Sequence, residues 1–397
     1  MIVEAAVDAM RSGHNQYAPL PGVPSLREAI AAHQRRRYGL EVDPDAEVQV
    51  TFGATEALAA ATLAFVGPAD EVVMLDPAYD SYEPVVERAG GTVRRIPLKP
   101  PDWRVEAEAV ELAVTTATRM LLLNSPHNPT GRVLDIEELE LLADACRRRD
   151  LIAATDEVYE HLVYDGRHVP LATLPGMRER TVTISSLGKT HSLTGWKVGW
   201  ASGPPELIGR LRAVKQFLTF AGGTPLQHAA AVGLTLPDRD VARLADALRS
   251  KRDRLAAGLS EAGFAVLPTA GTYFLNADAH PLGEEDAAAL CLRLPHEAGV
   301  VAIPVSAFSG EPDGPLRSIV RFAFCKRDDV LEEGIARLRA WAARWGGRHG
   351  ARRGPTVVPH ASFMPMRTLE FGAEGKGKAG NPSERDGRLP EAEEIAR

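Results

Sequence analysis

The sequence predicts an α/β protein, with a mostly parallel, doubly wound sheet in a large domain and a smaller α+β domain toward the C-terminus. Three observations carry this. Short apolar, β-branched runs alternate with longer stretches whose apolar residues recur every three or four positions, the order of strand-helix-strand units. Several runs are continuously apolar rather than alternating, as a parallel sheet covered on both faces requires. Near residue 235 the alternation gives way to a mixed order of helices and strands.

The elements follow in chain order. EVQVTF (47–52), EVVMLD (71–76), TVRRIPL (92–98), RMLLLN (119–124), LIAATD (151–156) and TVTISS (181–186) read as strands. Thr55–Phe65, Ile136–Arg149 and Pro205–Phe217 lie among them with helical spacing. A charge-rich helix follows over Asp238–Ala262, then a strand at GTYFLNA (271–277) and a helix near Glu284–Ala298. Strands at VVAIP (300–304) and SIVRFAF (318–324) precede a last helix, Asp328–Trp345. The 52 residues from Gly346 hold nine Gly and five Pro, match no element template, and read as a disordered tail. The expected division is an N-terminal helix or arm (1–17), a large domain (18–235), a small domain (236–345) and the tail (346–397). There is no repeat of 20–50 residues.

Composition narrows the function. The chain has 397 residues, 46 Lys+Arg against 53 Asp+Glu, and a formal charge of −7. Mild acidity argues against nucleic acid or an anionic membrane as partner. No apolar run approaches the roughly 18 residues of a membrane span, and the start, MIVEAAVDAMRSG, lacks the basic and apolar regions of a signal peptide. Cys146, Cys291 and Cys325 are too few and too scattered for a disulfide framework or a zinc site. The eleven histidines show no HExxH and no paired metal spacing. The expectation is a soluble, cytoplasmic enzyme acting on small molecules, with no metal.

Ligands of an open parallel sheet bind beyond the carboxyl ends of its strands, and the polar residues here fall at those ends. EVQVTF runs through Gly53-Ala54-Thr55 into a helix, a turn whose free N–H groups suit a phosphate. EVVMLD leads to Tyr79, and RMLLLN to Asn128 within SPHNPTG. LIAATD ends at Asp156 with Tyr159 three residues on, and TVTISS ends at Ser186, followed by Lys189. Each has an ordinary alternative: a tight turn, a β-turn Asn, a helix-capping Asp, a packed Tyr, a surface Lys. Together they match what pyridoxal 5′-phosphate requires. A lysine forms a Schiff base with its aldehyde, a carboxylate keeps the pyridine nitrogen protonated, and Asn, Tyr and an aromatic hold the ring.

The segments NQYAPLPGVPSLREAI, GATEAL, NSPHNPTG, TDEVYEHLVYDG, SSLGKTHSLTGWKVGW and VRFAF, in this order, resemble the class I/II pyridoxal-phosphate aminotransferases of fold type I over roughly residues 10–345. The form GKTxxxTGWKVGW looks most like the kynurenine aminotransferase branch. RRRYGLEVDPD, GTYFLNADAHPLG and VAIPVSAF are similar to succinyldiaminopimelate aminotransferases. The resemblance implies a role for each matching position. Lys189 is the Schiff-base lysine and the base that moves the α-proton. Asp156 pairs with the pyridine nitrogen, Asn128 and Tyr159 bind the ring hydroxyl, and Tyr79 stacks on the ring. Ala54, Thr55, Ser186 and Lys197 hold the phosphate, with lysine at 197 where many relatives carry arginine. Arg321 clamps the substrate α-carboxylate, with Asn128 beside it; its ordinary alternative is a strand arginine in a salt bridge. Tyr17 reaches the phosphate of a partner subunit, so the active unit is a homodimer with shared sites.

Relatives carry a further N-terminal segment that covers the substrate, so the expectation is an N-terminus that starts short of that lid. The implied activity moves the amino group of an amino acid (succinyldiaminopimelate, kynurenine, methionine or glutamine) to a 2-oxo acid such as 2-oxoglutarate. Two alternatives stay open: a cysteine-conjugate β-lyase on the same cofactor, and a truncated cofactor-binding protein with impaired catalysis.

Overall fold

All six apolar runs of the first half become strands of one sheet in the computed structural model, which describes residues 1–349. They are β1 (Val48–Thr51), β2 (Glu71–Asp76), β3 (Thr92–Pro97), β4 (Thr118–Asn124), β5 (Ile152–Asp156) and β6 (Thr181–Ser186). A seventh, β7 (Gly199–Ser202), starts within the GWKVGW motif and is too short to read from residue pattern. The strand order is β1-β7-β6-β5-β4-β2-β3. All neighbours are parallel except β7, which runs antiparallel to both β1 and β6.

Helices cover both faces, which explains the continuous apolar runs. The helices of this half are α1 (Ile2–Arg11), α2 (Pro24–Tyr38), α3 (Gly53–Phe65), α4 (Tyr82–Arg88), α5 (Ala107–Ala113), α6 (Ile136–Arg149), α7 (Leu187–Thr190), α8 (Pro205–Lys215) and α9 (Thr224–Leu234). Along β4, Leu121 and Leu123 pack with Leu139 and Leu142 of α6, while Met120 and Leu122 pack in the cluster of Ala57 and Ala61 of α3 and Leu211 of α8. Each of these Leu and Met side chains contributes about 1.5–3 kcal/mol by leaving water. Helix α6 starts where its sequence says: Asp135 accepts from Glu138 N–H, and Glu138 answers on Asp135 N–H, a closed capping box.

The second half forms α10 (Asp238–Glu261), β8 (Ala265–Val266), β9 (Phe274–Asp278), α11 (Ala287–Glu297), β10 (Ile303–Pro304), β11 (Ile319–Ala323) and α12 (Asp328–His349). Its sheet is antiparallel, in the order β10-β11-β9-β8. Leu275, Ala277, Val320 and Phe322 pack there with Leu255, Leu259, Leu294 and Ile335.

Several boundaries differ from the sequence reading. The strand expected over 300–304 keeps only Ile303–Pro304. The helix expected from Glu284 begins at Ala287, because Asp286 caps Ala288 and Ala289 N–H. Helix α12 continues to His349, so the first four residues assigned to the tail are helical, and the rest of that segment lies outside the described residues. Among the described residues no helix is long and apolar enough to cross a membrane.

The two sheets meet through backbone-directed contacts. Asp76, at the end of β2, accepts from Ser309 Oγ at 2.8 Å and from Gly310 N–H at 2.9 Å. Ala78 N–H donates to the Phe308 carbonyl, and Asn276 Nδ2 to the Pro129 carbonyl at 3.0 Å. These bonds seat the loop around Phe308 over the carboxyl edge of the large sheet.

Candidate active site

The strand register brings the polar residues together. Asn124 at the end of β4 stands beside Asp156 at the end of β5, and Ser186 at the end of β6 beside Gly199 at the start of β7. Because β7 runs the other way, its start lies where the parallel strands end, which brings Lys197 to the same edge. The result is a cavity of about 460 Å³. Lys189, Ala54, Thr55, Tyr79, Asn128, Asp156, Tyr159, Ser186, Lys197 and Arg321 all line it.

One end of the cavity is built for an anion. Phe52 at the N-cap of α3 offers no side-chain acceptor to the helix, so the first-turn N–H groups are left for a ligand. Gly53 has φ +75°, and a Cβ there would lie 3.2 Å from Lys197 Cε. A Cβ on Gly199 would stand 2.5 Å from the carbonyl carbon of Gly53, so only glycine lets β7 pass under this turn. Lys197 itself has φ +54° and sets Nζ 3.4 Å from Thr55 Oγ1. Holding a lysine in that left-handed conformation costs about 1 kcal/mol or more.

The other end is buried and titratable. Asp156 Oδ2 accepts from Tyr82 OH at 2.7 Å, and Oδ1 from Val158 N–H at 3.3 Å. Burial pushes its carboxyl up to about 6, against the pull of those two donors and of Lys189. Among the described residues it has no ion-pair partner. Lys189 lies on α7, a single turn of four residues, too short to show periodicity in sequence. Its Nζ is 2.9 Å from Tyr273 OH and about equally far from the Tyr159 and Tyr273 ring centres, at 5.5 and 5.4 Å. Tyr79 meets Tyr82 edge-on, with ring centres 5.6 Å apart.

Arg321 enters from β11. It is 8% exposed, and its guanidinium lies 4.1 Å from the ring centre of Phe274 and 4.3 Å from that of Phe308. Its Nη1 donates to Asn128 Oδ1 at 2.7 Å, which leaves the Asn128 amide N–H groups as donors. Burial pulls its pKa down, against the pull of Tyr159 and Asp80. The salt bridge that a strand arginine would ordinarily make is absent among the described residues.

Comparison with known proteins decides the family. The model of the family "Aminotransferase class I and II" matches residues 1–338. The chain belongs to the class I and II aminotransferases. It is 51% identical to the probable N-succinyldiaminopimelate aminotransferase DapC of Mycobacterium tuberculosis over 353 residues, covering 86% of this chain and 89% of that one. The structure of the M. tuberculosis N-succinyldiaminopimelate aminotransferase superposes with a TM-score of 0.84 at 52% identity, over 86% of this chain and 89% of that chain. The methionine aminotransferase of Escherichia coli is 40% identical over 82% of this chain and 84% of its own. Human kynurenine–oxoglutarate transaminase 3 is 36% identical, over 86% and 80%. The aminotransferase is therefore an enzyme of fold type I, and its large sheet and smaller C-terminal sheet are those of that fold.

Tyr17 is the one sequence-assigned residue away from the cavity of this aminotransferase. It is 84% exposed, edge-on to Phe220. Other cavity residues were not singled out in the sequence. Asn124 donates to the Asp156 carbonyl at 2.7 Å and accepts from Asn128 N–H at 2.7 Å, so it braces two assigned residues. Its signal was a polar residue closing an apolar strand. Tyr82 and Tyr273 touch Asp156 and Lys189 from 74 and 84 positions away, and no local pattern marks them. Phe274 and Phe308 carry no local signal either, and the fold lays them on Arg321.

Proposed function

We propose that this cavity holds pyridoxal 5′-phosphate and that the enzyme moves the α-amino group of N-succinyldiaminopimelate to 2-oxoglutarate, working as a homodimer. One observation carries the reading. Lys189 and Arg321, two basic side chains with no salt bridge among the described residues, open on the same cavity as Asp156, a buried carboxylate that makes none either.

The residues fit the cofactor. The α3 N–H groups, Thr55, Ser186 and Lys197 line an anion cradle that suits a phosphate, and lysine acts there as a point charge rather than a planar fork. Asp156, whose burial makes its charge expensive, gains a counter-charge from a protonated ring nitrogen. Tyr159 OH and the Asn128 amide are donors for a ring oxygen, and Tyr79 offers a ring face. When bound, the cofactor supplies an electron sink that stabilises negative charge at the substrate α-carbon.

The rest is done by the chain. Arg321, with its planar fork held between Phe274 and Phe308, takes the α-carboxylate in two-pronged fashion. The same two rings keep water from the guanidinium, which strengthens that pair. Arg321 and Lys189 line one cavity, so a carboxylate fixed at Arg321 keeps the rest of the substrate in the space on which Lys189 opens. Lys189 Nζ, beside Tyr273 OH, accepts and returns the α-proton in its neutral amine form. The choice of donor is supported by the mycobacterial relative, and the dimer by the exposed position of Tyr17, which is free to reach a partner's phosphate cradle.

The visible absorption spectrum of the purified protein tests this. N-succinyldiaminopimelate should abolish the band of the lysine-bound cofactor, and 2-oxoglutarate should restore it with glutamate as product. A response to kynurenine or methionine alone would reassign the donor. Pyruvate and ammonia from a cysteine conjugate, with no glutamate formed, would replace transfer by β-elimination. Mixing Lys189→Ala with Tyr17→Phe protein tests the dimer: hybrid dimers should differ in activity from the average of the two parents.

A further inference from the structure

A second polar cluster lies behind the cavity wall, between α2 and the segment that follows β5. His33 Nε2 and His161 Nε2 stand 2.9 Å apart, and each is 3.9 Å from the same oxygen, Glu160 Oε2. The three atoms form an isosceles triangle. The point equidistant from them lies about 2.1 Å from each, the bond length of zinc to imidazole nitrogen and to carboxylate oxygen. His33 comes from 128 positions away, so the convergence is a product of the fold.

We propose that His33, His161 and Glu160 form a binding site for a divalent transition metal ion of the zinc type, distinct from the cofactor cavity. The donor set is two neutral imidazoles and one carboxylate, borderline ligands that suit zinc, cobalt or nickel over calcium or magnesium. Outer partners already orient the carboxylate. Glu160 Oε2 accepts from Tyr38 OH at 2.5 Å and Oε1 from Ser185 Oγ at 2.7 Å, the kind of support that metal-ligating carboxylates receive. The side chains of His33, Glu160 and His161 are 3%, 3% and 9% exposed, so water competes little for the ion.

The ion would tie α2 to the segment that carries Asp156 and Tyr159, and through Ser185 to the strand end that carries Ser186. It would support the cofactor wall without touching the cofactor. Without metal the same two rings can only share one hydrogen bond, with one Nε2 donating to the other.

The test loads the full-length protein with Zn²⁺, removes the excess by desalting, and measures metal by mass spectrometry. About one zinc per chain should remain, falling to under a tenth in His33→Gln and in His161→Gln. X-ray absorption of the wild-type zinc form needs no variant and should show two imidazoles and one oxygen at about 2.0–2.1 Å. Three results would overturn the proposal. They are no retained zinc in the wild type, equal retention in folded variants, or a sulfur shell near 2.3 Å, which would place the ion on a cysteine.

Discussion

Asp156 and Glu160 lie four residues apart on one segment, both buried, and their acidities move in opposite directions. Burial alone raises both. For Asp156 burial wins, and the carboxyl rises to about 6. For Glu160 the imidazoles of His161 and His33 and the hydroxyls of Tyr38 and Ser185 outweigh burial and hold it down to about 2. The difference is in partners, not depth. Glu160 has two hydroxyl donors and two imidazoles around its oxygens, whereas Asp156 has one hydroxyl, one backbone N–H and no salt bridge among the described residues, and it faces the cavity. An unpaired buried charge of this kind marks a place where a ligand completes the protein.

The predictions probe that contrast, the largest effect first. Lys189→Ala should lower turnover by a thousand-fold or more, roughly the loss expected for a proton-transferring group, with fold and melting temperature retained. Near wild-type transamination by this variant would remove Lys189 from the mechanism. Asp156→Asn should reduce kcat by about a hundred-fold, the scale of one lost electrostatic contact. It also has a pH signature. A carboxyl raised above its unfolded value binds more protons when folded, so the wild-type cofactor-free protein should lose stability relative to Asp156→Asn as pH rises from about 4 to about 6. Thermal melts across that range check the sign, and a flat difference would mean that Asp156 is not held near neutral.

Arg321→Gln should raise KM for the amino donor by about ten- to a hundred-fold, as loss of a charge-assisted pair implies, with a smaller change in kcat. An unchanged KM would place the carboxylate elsewhere. Ser185→Ala should cost about 1–3 kcal/mol by leaving Glu160 Oε1 short of a donor. At pH 5 Tyr82→Phe should cost less, about 1 kcal/mol, because the carboxyl it serves, raised to about 6, is mostly neutral there. Denaturant melts at pH 5 rank the two, and the reverse order would break the comparison.

What could be read from residue order alone follows from locality. A buried parallel strand shows itself as a run of apolar residues, and the residues just past its carboxyl end share one edge of the sheet. Ala54, Thr55, Tyr79, Asn128, Asp156, Tyr159, Ser186 and Lys189 were legible for that reason, each a few positions from its strand. Arg321 and Lys197 were assigned through motifs rather than pattern.

What stayed hidden was every pairing across the fold: Arg321 with Asn128 over 193 positions, Tyr82 with Asp156, Tyr273 with Lys189, His33 with His161. Such contacts depend on strand order, on the antiparallel entry of β7 and on how the small sheet docks through Asp76. No short-range signal encodes them, because a side chain's charge state is set by whichever distant groups packing brings within a few ångströms. The chemical types at the site belong to the sequence, whereas the unpaired charges that make it a site belong to the tertiary structure.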